Sequence, residues 1–194
     1  REGQIMPYLW SNQKRLSTLE VSGEDNMLTF EAGTEKAIVY MNNNDIEKVV
    51  YIIGGSNNEI KKSERYHIVV GDGNSKRDVY HYLKPGGPAP QMRLGITKHC
   101  GASTWSSLPH DFELNTEPGF EEVFFYLIKG ATKTAIQRGN GVWFDNQSID
   151  DAWIVKDRTF GTVPMGYHPV VAEPGVHVSY VWVYLCKKSE WEKI

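Results

Sequence analysis

Short runs rich in Val, Ile, Tyr, Phe and Trp, each closed by Gly, Pro or Asn, leave this chain few ways to fold. Such runs are Ala37 to Met41, Val49 to Ile53, Tyr66 to Val70, Val79 to Leu83, Val123 to Ile128, Val142 to Phe144 and Val176 to Cys186. Close spacing with turn chemistry between them predicts an all-β sandwich or barrel. No stretch beyond about ten residues carries a clean helical period, although Lys187 to Ile194 has the composition of a short helical turn. With 194 residues, 40% of them hydrophobic, there is enough apolar material for one substantial core.

The balance of charge narrows the function classes. A net charge of -3 does not draw the chain to nucleic acid or to an anionic membrane, and its longest apolar run is too short to span a bilayer. Cys100 and Cys186 are far apart and form no CxxC pair. With no basic-then-apolar leader pattern, that usage predicts a reducing, cytoplasmic setting. Many Trp and Tyr residues and the exposed edges of a β-fold favour a homo-oligomer.

A seam is expected at Lys84-Pro85-Gly86-Gly87-Pro88-Ala89-Pro90, where Pro and Gly forbid a regular central strand. It divides an abbreviated N-terminal β region, residues 1–84, from a C-terminal barrel, residues 91–194. Gly71-Asp72-Gly73-Asn74-Ser75-Lys76 lacks Walker spacing and a following helix, so it reads as a hairpin turn.

Of the six histidines, His110 and His168 sit in the most suggestive contexts. His168 follows Pro164-Met165-Gly166-Tyr167, a turn that re-aims the chain and fixes the next side chain at a strand start. Between them lies Glu121-Glu122-Val123-Phe124-Phe125-Tyr126. Strand alternation puts Glu122, Phe124 and Tyr126 on one face and Glu121 and Phe125 on the other. If the first face lines a barrel, Glu122 needs a cation, a metal or a proton. Two imidazoles and a carboxylate are a sound divalent set, although a lone His–Glu pair is more often a structural hydrogen bond. Arg138 reads either as a clamp on a substrate carboxylate or as a solvated strand end. His67, His81, His99 and His177 read as ordinary β-sheet histidines.

These segments together resemble the family that contains 5-deoxyglucuronate isomerase and 5-keto-4-deoxyuronate isomerase. The motifs run in order from Arg65 to Leu185 and include Val70-Gly71-Asp72-Gly73 and Leu94-Gly95-Ile96-Thr97. They continue with Gly101-Ala102-Ser103-Thr104-Trp105-Ser106-Ser107-Leu108-Pro109-His110 and Ile136-Gln137-Arg138. Val163-Pro164-Met165-Gly166-Tyr167-His168-Pro169-Val170 and Tyr180-Val181-Trp182-Val183 complete the series.

The resemblance implies a cupin barrel (a double-stranded, jelly-roll-like β-helix) with the N-terminal region a remnant of a first cupin unit. It implies an intramolecular oxidoreductase that interconverts aldose and ketose forms of a small sugar acid, a deoxy uronate. The substrate would be 5-deoxyglucuronate, as in inositol catabolism, or 5-keto-4-deoxyuronate. The family's metal ligands are a His-x-His pair, a Glu and a later His. Carried across, His110, Glu122 and His168 match and would hold zinc, manganese or iron. Phe112 stands where the second His belongs, and Glu113 beside it points to the other face unless a bulge intervenes. Glu122 and Tyr126 are then the catalytic candidates, and Gln137 and Arg138 the substrate-orienting ones. A cupin that binds a sugar acid without turning it over is the alternative that Phe112 favours.

Overall fold

In the computed structural model, residues 8–12, 16–106 and 120–185 are described. After a short β1 (Leu9–Trp10) comes a meander of β2 (Glu20–Glu24), β3 (Met27–Ala32), β4 (Glu35–Asn42), β5 (Asp45–Ile53) and β6 (Ser56–Lys61). Next are β7 (Tyr66–Val70), β8 (Arg77–Leu83), β9 (Met92–His99) and β10 (Trp105–Ser106). The rest comprises β11 (Glu122–Lys129), β12 (Thr134–Val142), β13 (Ser148–Lys156), β14 (Thr159–Val163), β15 (Met165–Tyr167), β16 (Val170–Val171) and β17 (His177–Leu185). Among the described residues there is no α-helix.

These strands form three sheets. The largest runs β1-β14-β11-β17-β9-β8-β7, and a smaller one runs β10-β16-β12-β13 with β15 also paired to β12. The meander β2-β3-β4-β5-β6 is the third. This is the all-β, cupin-type architecture that the sequence pattern and the resemblance imply.

The large sheet is covered on both faces. From β11, Phe124, Tyr126 and Ile128 join Val178, Tyr180 and Trp182 of β17 in the barrel interior. The alternate residues Val123, Phe125 and Leu127 join Leu28, Phe30 and Val49 of the meander in a second core. Two-sided burial explains why β11 reads as an unbroken apolar run rather than an alternation. The meander strands, by contrast, do alternate: every second residue of β3 and β4 is buried.

Several sequence expectations need adjustment. The Lys84–Pro90 segment joins β8 to β9, which pair within one sheet, with Leu83 opposite Leu94. Its Pro and Gly residues serve a turn, in which the Gly87 amide donates to the Lys84 carbonyl at 3.0 Å. Sheet membership changes earlier, between Lys61 and Tyr66, so β7 and β8 belong with the barrel sheet. Val142 to Phe144 is not a strand of its own. Val142 ends β12, and Trp143 begins a turn closed by Trp143 N–Gln147 O and Asn146 N–Trp143 O bonds, each 2.8 Å. Residues 71–76 connect the antiparallel β7 and β8, as a hairpin turn should. Lys187 to Ile194 lies outside the described residues.

Candidate functional site in the barrel interior

The site is built where β11 enters the barrel. Strand alternation turns Glu122 inward at 3% exposure, and the chain after β15 brings the equally buried His168 to it. His168 Nε2 lies 3.5 Å from Glu122 Oε2. Gly166 makes the approach possible. Its φ is +107°, and a Cβ there would stand 2.5 Å from the Asn140 carbonyl oxygen. The Phe124 ring meets the His168 imidazole edge to face, at 5.7 Å between centroids, and stacks on Tyr180 at 4.1 Å.

Apolar surroundings dominate the electrostatics. Burial raises the Glu122 carboxyl from its ordinary 4.5 to about 8. It likewise pushes the Tyr180 phenol up to about 12, with Arg77 and Thr97 opposing. Tyr126 is held well above its ordinary value, first by burial and then by Tyr180 and Glu122.

Gln137 and Tyr126 are both part of this interior, joined by hydrogen bonds. The Tyr126 hydroxyl donates to Gln137 Oε1 at 3.0 Å. Gln137 Nε2 donates to the carbonyls of His168 at 2.7 Å and Pro169 at 3.2 Å. The fully buried Gln137 therefore straps the strand that carries Glu122 to the segment that carries His168. The Tyr126 ring also lies on Gly161, where a Cβ would stand 2.8 Å from it. Arg138 is not brought to this face. Next to Gln137 on β12, its guanidinium turns outward to Asp150 and to the carbonyls of Gly139 and Asp151. That is the solvated-strand alternative. His110, Phe112 and Glu113 lie outside the described residues.

Two histidines read as ordinary from the sequence also face inward. His99 Nδ1 donates to the Val178 carbonyl at 2.7 Å, which leaves Nε2 to accept from the Ser106 hydroxyl. His81 packs edge-on against Trp182 at 5.2 Å, and burial pushes it down to about 4. Gly95 between them is the usable signal, since a Cβ there would stand 2.4 Å from the Trp182 ring.

The Glu122–His168 pair suits part of a divalent cation site. Its 3.5 Å gap is long for a hydrogen bond. It is close to the roughly 3.3 Å edge between two donors on a tetrahedral ion with bonds near 2.0 Å. A carboxyl that burial raises to about 8 is one that a cation would relieve. No group of three His, Cys, Asp or Glu side chains suited to a metal occurs among the described residues, so these two donors are a partial set.

Comparison with known proteins bears on the same region. A family model described as KduI/IolB matches residues 23–194, reaching upstream into the meander. The chain is 33% identical to 5-deoxy-glucuronate isomerase of Geobacillus kaustophilus over 126 residues, 63% of this chain and 44% of that protein. It is 27% identical to the Halalkalibacterium halodurans enzyme of the same name over 201 residues, 90% of this chain and 73% of that one. In several cases, as for the Geobacillus protein and the 45% of the Bacillus subtilis one, the chain spans about half the length of the curated relatives it matches. The crystal structure of an IolB-like protein from Salmonella typhimurium shares the fold. Its TM-score is 0.58 at 21% identity, covering 97% of this chain and 81% of that one.

Proposed function

Because the chain belongs to the KduI/IolB family, we propose that it is a sugar-acid isomerase acting through the barrel pair Glu122 and His168. The reaction is the aldose–ketose interconversion of a deoxy uronate, of the 5-deoxyglucuronate type named for its relatives. The observation that carries this reading is a buried carboxyl, raised to about 8, facing an imidazole inside the barrel.

In this reading Glu122 and His168, with His110, hold a divalent zinc, manganese or iron ion. Such an ion, when bound, supplies Lewis-acid stabilisation of charge developing on the substrate's carbonyl and hydroxyl oxygens. The remaining work falls to the chain. Phe124, Tyr180 and Trp182 keep the site dry, which strengthens every charge interaction within it. Gln137 and Tyr126 hold the two ligand-bearing segments in register by the hydrogen bonds they share. Arg138 takes no part in substrate contact, because its side chain is engaged on the outer face. The meander, abutting the barrel sheet, is read as an abbreviated first unit. A cytoplasmic setting accords with the exposed free thiol of Cys100. Among the described residues no helix is long and apolar enough to cross a membrane.

An assay of the full chain with 5-deoxyglucuronate and with 5-keto-4-deoxyuronate tests the reading. Turnover of one of them is expected, with a loss of about 1,000-fold or more in Glu122→Gln. Near-normal activity in that variant removes Glu122 from the mechanism. Binding of a uronate without turnover favours the non-catalytic alternative, for which Phe112 is the sequence signal.

A further inference from the structure

With Arg138 engaged on the outer face, the carboxylate of a sugar acid in the barrel needs another partner. A rung of the large sheet carries an unassigned polar group. His81 of β8 is opposite Gly95 of β9, Gly95 opposite Trp182 of β17, and Trp182 opposite Phe124 of β11. Directly opposed residues project to one face, so His81 shares the barrel face with Phe124. Its Nε2 is buried and has no hydrogen-bond partner. Burial and the nearby charge of Lys84 both keep the imidazole neutral, and a neutral ring can carry its proton on Nε2 and donate it.

A bulge brings Lys84 to the same face. Tyr82 and Leu83 both lie in the core shared with the meander, and the register shifts between His81 and Leu83. The next residue therefore returns to the barrel side, as a bulge beside a site can arrange. Lys84 is exposed and makes no ion pair among the described residues. Arg93, another cation at this end, is buried and directs its guanidinium to the Ala89 and Met92 carbonyls. Between Lys84 and Glu122 lie the Trp182 and Tyr184 rings, stacked at 5.7 Å, with Tyr184 opposite Glu122. The β8 and β11 backbones are three strand spacings apart, roughly 14 Å, before their side chains reach inward.

We propose that His81 and Lys84 bind the carboxylate of the sugar acid, which lies across the Trp182 and Tyr184 rings with its carbonyl end at Glu122 and His168. The placing of the carbonyl end rests on the isomerase reading. An aldehyde and a carboxylate stand at opposite ends of a uronate, so two separated polar groups joined by an aromatic floor suit it. Lys84 supplies the countercharge and the His81 Nε2–H a directed hydrogen bond.

Equilibrium titration of the full chain with two ligands that cannot isomerise tests this. One is 5-deoxyglucuronate with its aldehyde reduced to an alcohol; the other is its neutral counterpart, with a hydroxymethyl group in place of the carboxylate. The wild type is expected to prefer the acid about 30-fold or more. Lys84→Met, at an exposed position, should weaken acid binding about tenfold and leave the neutral ligand unchanged, whereas Lys84→Arg should retain the preference. His81→Phe, which keeps a ring against Trp182, should weaken acid binding to a similar degree. Equal affinity for the two ligands, no binding of either, or an acid preference that survives Lys84→Met or His81→Phe overturns the proposal. The isomerase reading fails separately, because no turnover is read. A chain that converts neither uronate yet binds the acid through Lys84 contradicts that reading and supports the carboxylate site.

Discussion

Glu121 and Glu122 leave the start of β11 in opposite directions, one toward the meander and one into the barrel, and both are buried. Glu121 is met by the chain of residues 17–19. Its carboxylate accepts the amides of Ser17 at 3.2 Å, Thr18 at 2.8 Å and Leu19 at 2.7 Å, and the Ser17 hydroxyl. Glu122 faces aromatic rings and His168, and burial moves its carboxyl to about 8. The same side chain, one residue apart, is thus a hydrogen-bond acceptor for backbone amides on one face and, on the other, a candidate site residue in apolar surroundings. Burial alone does not make a glutamate functional; what its oxygens meet decides it.

Substitutions should separate the two faces. Glu122→Gln removes activity, as above, while keeping a folded barrel. The converse is Glu121→Ala, which strips three backbone amides of their acceptor and should lower unfolding free energy by about 3–5 kcal/mol. Denaturant titration reads that loss, and activity at a permissive temperature should stay within a few-fold. A variant that is stable but inactive would break the comparison.

The second contrast is in pH. In metal-free protein Glu122 keeps its proton up to about 8, whereas the unfolded chain releases it near 4.5. Between those values the folded state binds more protons, so stability falls as pH rises, by about 1.4 kcal/mol per pH unit. His81, displaced by burial from 6.5 to about 4, acts in the opposite sense over its own window. The two largely offset each other below pH 6.5, leaving a decline from 6.5 to about 8 that Glu122→Gln should abolish. Urea melts in chelator across that range measure it. A flat wild-type profile would show that Glu122 is not desolvated as described.

A smaller effect tests the strap between the faces' two segments. Gln137→Leu removes the bonds that Gln137 makes with the Tyr126 hydroxyl and the His168 carbonyl, while the Pro169 carbonyl keeps the Arg138 amide at 2.9 Å. It should cost roughly 2 kcal/mol of stability and slow turnover about tenfold through a displaced His168. Full activity in the variant would make the strap purely structural.

How much of this was legible in the sequence follows from the range of each interaction. Period-2 alternation placed Glu122, Phe124 and Tyr126 together, because pleating is local. The turn before His168 was readable because only a glycine suits Gly166. The role of Glu121 was not, since its donors lie more than 100 residues away in sequence. For the inward faces of His81 and His99 the one usable signal was Gly95, because β9 is buried on both sides and its apolar pattern alone does not announce which face meets the barrel. Arg138 and Gln137 looked equivalent as neighbours, yet alternation sends one outward and the other in. Proline and glycine at 84–90 suggested a seam between two units, and the same composition serves the turn that joins β8 to β9 within one sheet.

The most direct measurement of the central claim is metal content, by elemental analysis of protein purified without added metal, beside His168→Ala. The account predicts near-stoichiometric zinc, manganese or iron in the wild type and its loss in the variant. No bound metal after loading with excess of each of these ions would contradict it and leave Glu122 and His168 as a buried pair with another purpose.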